Sequence, residues 1–76
     1  MQSSRDAARE LLATALKQAE AAIPTDAAIG EFEPWDSLGH MRIVLEIERR
    51  LGRTLSADEI ARIDSIADVR DILQTR

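Results

Sequence analysis

The stretch EPWDSLGHMRIVLEIERRLG, residues 33–52, decides the fold of this chain. It begins with a proline and acidic residues. It continues as an apolar run that contains arginines and ends at a glycine. The apolar residues of that run recur at helical spacing. We therefore predict a helix that ends at about Leu51, with Gly52 just after it. Either Asp36 or Ser37 is a suitable N-cap for this helix.

The apolar side chains of this helix cover more of its circumference than a core-facing stripe needs. Their combined arc is about 220°, whereas a surface helix normally buries an arc of little more than about 100°. Within about 60° of one another lie Ser37, Met41, Val44 and Glu48. This arrangement predicts either a docking surface beside Ser37 or a helix that a small bundle encloses on three sides.

The N-terminal third predicts one more helix and then a loop. Helical spacing of alanine, leucine and isoleucine indicates an amphipathic helix from about Ser4 to Ala22, capped by Ser3 or Ser4 and stopped by Pro24. Residues 24–36 contain two prolines and a glycine and show no helical stripe. They predict a long ordered loop, which apolar residues hold against the core, namely Ile29, Phe32 and Trp35.

The C-terminal third contains two helix-capping patterns, each of which predicts the start of a helix. The run from Ser56 to Glu59 has the capping-box pattern and starts a short third helix. Ser65, with Asp68 three residues later, opens a fourth. The predicted fold is therefore all-α, a four-helix bundle with a long first loop and a short third helix. We expect residues 1–76 to form a single domain.

Composition excludes several kinds of site. The chain has no cysteine and one histidine, which excludes a thiol nucleophile and argues against a protein-built metal site. Its net charge of −4 argues against binding to nucleic acid through the phosphate backbone. The sequence has no apolar run of secretory or membrane-spanning length. We expect a cytoplasmic protein that does not insert into membranes.

The motifs of these segments form a longer pattern along the chain. The tripeptide DSL at 36–38 starts the central helix, Met41 follows it, and the run IVLEIERRLG closes it. The segment LSADEIARIDSIADVRDIL, residues 55–73, then supplies the short third helix and the capped fourth one. In this order and at this chain length, the motifs resemble the acyl carrier protein family, including its peptidyl and aminoacyl carrier relatives.

The resemblance implies that Ser37 is the attachment site for 4′-phosphopantetheine, which a phosphopantetheinyl transferase takes from coenzyme A. The arm ends in a thiol that holds acyl or aminoacyl groups as thioesters. A loading ligase and downstream synthases or transferases would be the other partners. Asp36 matches the family aspartate that assists transferase recognition, and it remains a candidate helix cap. The resemblance implies a stand-alone carrier with no catalytic residues of its own. We expect a monomer, which is the default state for a mobile shuttle.

The resemblance also implies a surface of the second helix that faces partner enzymes, formed by Leu38, His40, Met41, Val44 and Glu48. Typical fatty-acid carriers place an acidic and a small polar residue where this chain has Gly39 and His40. Its second helix is also less acidic than is usual, because it contains three arginines, Arg42, Arg49 and Arg50. We therefore expect a specialised pathway, for a secondary metabolite, an unusual acyl chain or an amino acid, rather than housekeeping fatty-acid synthesis.

Two other functions would use the same residues. A Ser-His hydrolase would pair Ser37 with His40, but WDSLG lacks the G-x-S-x-G elbow and no third residue orients the imidazole. If the protein is not a hydrolase, His40 contacts partners or has no role. A small helical adaptor without a prosthetic group would bind through the same helix surface, and it would tolerate Ser37→Ala. Trp35 is either a half-buried staple before the helix or a contact for the arm.

Overall fold

The computed structural model describes residues 6–74, which form four α-helices and one 3-10 turn. The helices are α1 (Ala7–Leu16), α2 (Ser37–Leu51), α3 (Ala57–Ala61) and α4 (Ile66–Gln74). The 3-10 turn, Glu20–Ala22, lies in the long connection between α1 and α2. This architecture confirms the predicted all-α bundle with a long first loop and a short third helix.

The N-terminus of α1 is capped by a residue that the sequence reasoning did not select. The Asp6 carboxylate accepts hydrogen bonds from the backbone N–H groups of Ala8 and Arg9, at 3.1 and 3.3 Å. The predicted caps Ser3 and Ser4 lie outside the described residues. Asp6 also accepts a hydrogen bond from Arg70 of α4 at 2.7 Å. The start of α1 is therefore joined to the last helix.

The predicted end of the first helix at Ala22 was wrong. The helix ends at Leu16, because Lys17 turns into the left-handed region at φ 58°. Six residues later Ile23 is fully buried, and its carbonyl oxygen accepts a hydrogen bond from Arg9 Nε at 2.9 Å. The turn at Lys17 thus leads the chain back across α1, well before Pro24 is reached.

The core is aliphatic except for one indole. Fully buried leucine, isoleucine and valine side chains come from three helices, for example Leu12 of α1, Ile47 of α2 and Val69 of α4. Trp35, from the loop, is the largest fully buried side chain among the described residues. The short helix α3 buries no residue completely. Burial therefore joins α1, α2 and α4 around the end of the long loop.

The long loop is ordered by backbone hydrogen bonds to the start of α4. The N–H of Ile29 donates to the carbonyl of Asp64, and the N–H of Ile66 donates to the carbonyl of Ala27, both at 2.9 Å. Ile29 and Phe32 pack against the core. The prediction of an ordered loop held by apolar residues is confirmed, and the loop delivers a fixed backbone to the start of α2.

The helices are short on the scale of a lipid bilayer. The longest, α2, has 15 residues, whereas about 20 apolar residues are needed to cross the hydrocarbon layer. Within residues 6–74, no helix has the length and apolar character of a membrane span.

Candidate functional site at the start of α2

Asp36 caps α2 and Ser37 does not. Asp36 Oδ1 accepts a hydrogen bond from the backbone N–H of Gly39 at 2.8 Å, which is the N-cap arrangement. Ser37 is the first residue inside the helix and is exposed. Its hydroxyl makes no hydrogen bond with any other residue in the described range 6–74. The choice between the two caps that the sequence left open is therefore decided in favour of Asp36.

The helix start also offers unused donors. The backbone N–H groups of Ser37 and Leu38 have no acceptor among residues 6–74. These groups lie at the positive end of the helix dipole, where a negative group is stabilised by about 0.3–1 kcal/mol. An anion attached to the Ser37 hydroxyl would lie beside them. The geometry therefore fits a phosphodiester at this position.

Gly39 allows the first turn of α2, which carries Ser37, to pack closely against the rest of the protein. A Cβ atom at this position would fall 2.8 Å from Leu16 Cδ2, and closer still to the carbonyl oxygen of Pro34. Only a residue without a Cβ lets the loop and the end of α1 approach the first turn of α2 this closely. The contact holds the turn that carries Ser37 against the core.

Trp35 and His40 bracket the same turn. Trp35 Nε1 donates a hydrogen bond to His40 Nδ1 at 3.0 Å, and the rings stack with centroids 6.2 Å apart. Trp35 precedes the N-cap and His40 lies four residues into the helix, so the pair occupies the staple positions. The structure therefore supports the staple interpretation of Trp35, but the side chain is fully buried and not half-buried as predicted. The hydrogen bond to His40 was not predicted.

The same hydrogen bond bears on the Ser-His interpretation. Because Nδ1 of His40 accepts the indole proton, the neutral imidazole carries its own proton on Nε2. In that tautomer Nε2 is a donor, and it does not act as a base toward Ser37. The arrangement around His40 therefore does not fit a serine hydrolase.

The predicted partner surface divides into exposed and buried residues. Leu38 and Met41 are 61% and 50% exposed. Val44 is only 2% exposed and packs in the core, so its predicted place on an exposed stripe with Met41 was wrong. Glu48 is half-buried and accepts a hydrogen bond from the backbone N–H of Leu55 at 2.9 Å. Glu48 thus holds the connection to α3 in place.

Two exposed residues of α2 were not predicted to belong to the site. Leu45 is 59% exposed, and Arg42 is exposed without an ion pair in the described part of the chain. Both lie on the side of α2 that faces away from the core. The available signal was their spacing: Arg42 is four residues and Leu45 seven residues after Leu38, which places all three on one helix face.

Ion pairs brace the bundle around this site. Arg50 of α2 binds Glu10 of α1 and Glu46 of its own helix. The hydrogen bond from Arg70 lowers the pKa of Asp6 below its usual value, although partial burial opposes this shift. Within the described residues, no cluster of three or more histidine, aspartate or glutamate side chains is placed to hold a metal ion.

A protein-family model matches most of the chain. The model described as the phosphopantetheine attachment site matches residues 6–73, from the cap of α1 to the last turn of α4. Comparison with curated proteins and with solved structures gives no match. The family match agrees with the helical architecture and with a helix start that fits a phosphodiester. The chain belongs to the phosphopantetheine attachment site family, the carrier proteins whose cofactor is 4′-phosphopantetheine.

Proposed function

We propose that the Ser37 hydroxyl is the attachment point for the phosphopantetheine arm. The observation that carries this proposal is that Ser37 begins α2 with an exposed hydroxyl that caps nothing. The hydroxyls of Ser56 and Ser65, by contrast, are engaged in capping α3 and α4. Among these three serines at helix starts, modification of Ser37 alone would leave the helix caps intact.

The loading step would use the Ser37 hydroxyl as the nucleophile. Its oxygen forms a bond to the phosphorus next to the pantetheine of coenzyme A, while the pyrophosphate bond breaks. Adenosine bisphosphate leaves, and the serine proton passes to the transferase or to solvent. Ser37 and Leu38 then offer their free backbone N–H groups beside the new phosphodiester. Asp36, the adjacent residue, is proposed to help the transferase recognise the site while it caps the helix.

The loaded protein is proposed to hold acyl or aminoacyl groups as thioesters on the thiol of the arm. A ligase would load it, and synthases or transferases would use the cargo. Exposed Leu38 and Met41, with half-buried His40 beside them, are the proposed partner contacts. The arginines of α2 favour a specialised pathway over housekeeping fatty-acid synthesis. We expect a non-catalytic monomer that is loaded in the cytoplasm.

A second candidate function is an adaptor that binds partners and carries no prosthetic group. Large exposed apolar side chains on α2 favour it, because such residues commonly mark interaction sites. The family match and the free serine hydroxyl support the carrier instead. The two functions differ in one covalent property, which is whether Ser37 accepts the arm.

Intact mass spectrometry tests the proposal. The protein is incubated with coenzyme A, magnesium and a promiscuous phosphopantetheinyl transferase, beside Ser37→Ala. We expect the native chain to gain one phosphopantetheine and the variant to gain none while it stays folded by circular dichroism. A control carrier reports whether the transferase is active. An unmodified native chain beside a modified control would overturn the carrier proposal and favour the adaptor.

A further inference from the structure

The outer side of α2 carries an apolar stripe that continues away from Ser37. The large hydrophobic side chains found exposed in the described part of the chain are Leu38, Met41 and Leu45, at 61%, 50% and 59%. All three lie on α2, within about 60° of one another around the helix axis. We call these three residues the α2 stripe.

Cationic side chains flank this stripe on the side of α1. Lys17 and Arg42 are exposed and form no ion pair with another described residue. Arg49 binds Glu46, yet its side chain stays 73% exposed. We call these three basic residues the cationic flank. By contrast, Arg50 forms an ion pair with Glu10 of α1, and Arg70 forms one with Asp6, the cap of α1. The side chains of these two arginines are 26% and 41% exposed.

The stripe and the flank line a continuous surface. A shallow depression of about 210 Å³ lies between Asp36, Leu38 and Arg42. A second, of about 410 Å³, lies between Lys17, Arg42 and Leu45. Arg42 lines both, so the surface runs from the neighbour of Ser37 to the middle of α2. The two depressions are lined by Leu38 and Leu45 of the stripe and by the cationic flank. Two carboxylates also line them, but Asp36 caps α2 and Glu46 is paired with Arg49 and Arg50.

We propose that this surface binds a partner protein through an apolar patch bordered by carboxylates. The inference rests on the proposed carrier function in one respect, which is that Ser37 at the end of the stripe would present its cargo to this partner. The chain as a whole has a net charge of −4, so the positive flank is a local departure that selects an acidic partner by charge complementarity.

The test uses synthetic helical peptides as probes of the surface. One peptide carries leucines along one face with glutamates on both borders, and its matched control carries lysines in place of the glutamates. Each is titrated into isotope-labelled unmodified protein and followed by NMR. We expect the glutamate peptide to shift the amides of the α2 stripe and of Lys17, and to bind less tightly as salt is raised. The lysine peptide should bind more weakly.

Variants separate the surface from general charge effects. Arg42→Glu should weaken binding of the glutamate peptide about fivefold or more, because it replaces an attraction with a repulsion. Arg62→Glu is the matched control, since Arg62 is also exposed and without an ion pair in the described residues, but lies at the end of α3. It should change the affinity little. Leu45→Ala should weaken binding without unfolding the protein.

Several outcomes would overturn the proposal. These are equal binding of the two peptides, shifts that map away from α2, or equal loss of affinity in the Arg42 and Arg62 variants. Vesicles of anionic lipid that shift the same amides would make a membrane the occupant instead. Shifts that grow with protein concentration alone would make it a second copy. Arm attachment is measured separately by mass, so failure of the peptide test leaves the Ser37 assignment standing.

Discussion

Three helices of this protein start beside a serine, and the three serines are used differently. At α3 and α4 the serine is the cap. Ser56 Oγ accepts a hydrogen bond from the N–H of Glu59 at 3.1 Å, and Glu59 Oε1 accepts one from the backbone N–H of Ser56 at 2.9 Å. Ser65 and Asp68 are paired in the same way. At α2 the cap is Asp36, and Ser37 lies one residue further inside with its hydroxyl free.

The residue at the third helical position explains why α2 cannot have the reciprocal serine cap of α3 and α4. Glu59 and Asp68 occupy this position in α3 and α4, and their carboxylates complete the reciprocal cap. In α2 it is Gly39, which has no side chain to reciprocate and no room for one. A carboxylate cap one residue earlier satisfies the helix start and leaves Ser37 outside the capping network. The difference shows how a serine at a helix start becomes available for chemistry.

The largest effect on stability is expected at Gly39. Gly39→Ala should destabilise the protein by about 1–2 kcal/mol, because overpacking against Pro34 and Leu16 exceeds the gain in helix propensity. Urea unfolding measures this change. A variant as stable as the native chain, or more stable, would mean that propensity dominates and that the close approach is not needed.

The next effects on stability are expected at the serines, where replacing Ser56 and replacing Ser37 should have different consequences. Ser56→Ala should lose about 0.5–2 kcal/mol as a broken cap, while still accepting the arm. Ser37→Ala should leave the free energy of unfolding nearly unchanged, since its hydroxyl bonds to no described residue. Urea unfolding of both variants, beside their loading by the transferase, makes the comparison. A Ser37→Ala variant destabilised as much as Ser56→Ala would remove the distinction between them.

Acid should weaken the start of α3. Hydrogen bonds from Arg53, and then from the backbone of Ser56, lower the pKa of Glu59 from 4.5 to about 2. Because the folded-state pKa is depressed, this contribution to stability is complete above about pH 4.5 and is lost as pH falls toward about 2. Urea unfolding at several pH values should show the decline, together with that from Asp6, whose pKa is also lowered.

Glu59→Gln and Arg53→Gln provide the check on that decline. Each should remove part of the acid dependence, since each breaks the same ion pair. If neither variant changes the slope of stability with pH between about 4.5 and 2, Glu59 is not responsible for it.

The smallest change in stability is expected at Asp36. Asp36→Asn should keep the cap, since asparagine and aspartate cap helices about equally well, but it removes the charge beside Ser37. We expect little change in urea unfolding and slower loading by the transferase. Loading at the native rate would confine Asp36 to its capping role and remove it from transferase recognition.

Much of the fold could be predicted because local signals agree with the final packing. Gly52 adopts φ 72° at the end of α2, as a C-terminal glycine after an apolar run predicts. Ser56 and Ser65 cap the two helices that they were predicted to start. At the end of α1 the local signals failed. The sequence after Leu16 contains good helix formers, and the burial of Ile23 overrode them.

The candidate site was predictable in its position but not in its contacts. The DSL motif located Ser37 and Asp36, but the pattern did not tell which of them caps the helix. Helical spacing placed Val44 on one stripe with Ser37 and Met41 but left open whether that stripe is exposed, because spacing gives relative angles and not the direction of the core. The hydrogen bond between Trp35 and His40 depends on how the loop enters the helix, which no periodicity reports.

Tandem mass spectrometry of the protein, after loading with coenzyme A and the transferase, shows which residue carries the arm. Fragments on either side of Ser37 locate the added group on the chain. We expect all of the phosphopantetheine on Ser37, with Ser56 and Ser65 unmodified. An arm found on either capping serine, or on any other residue, would contradict this expectation.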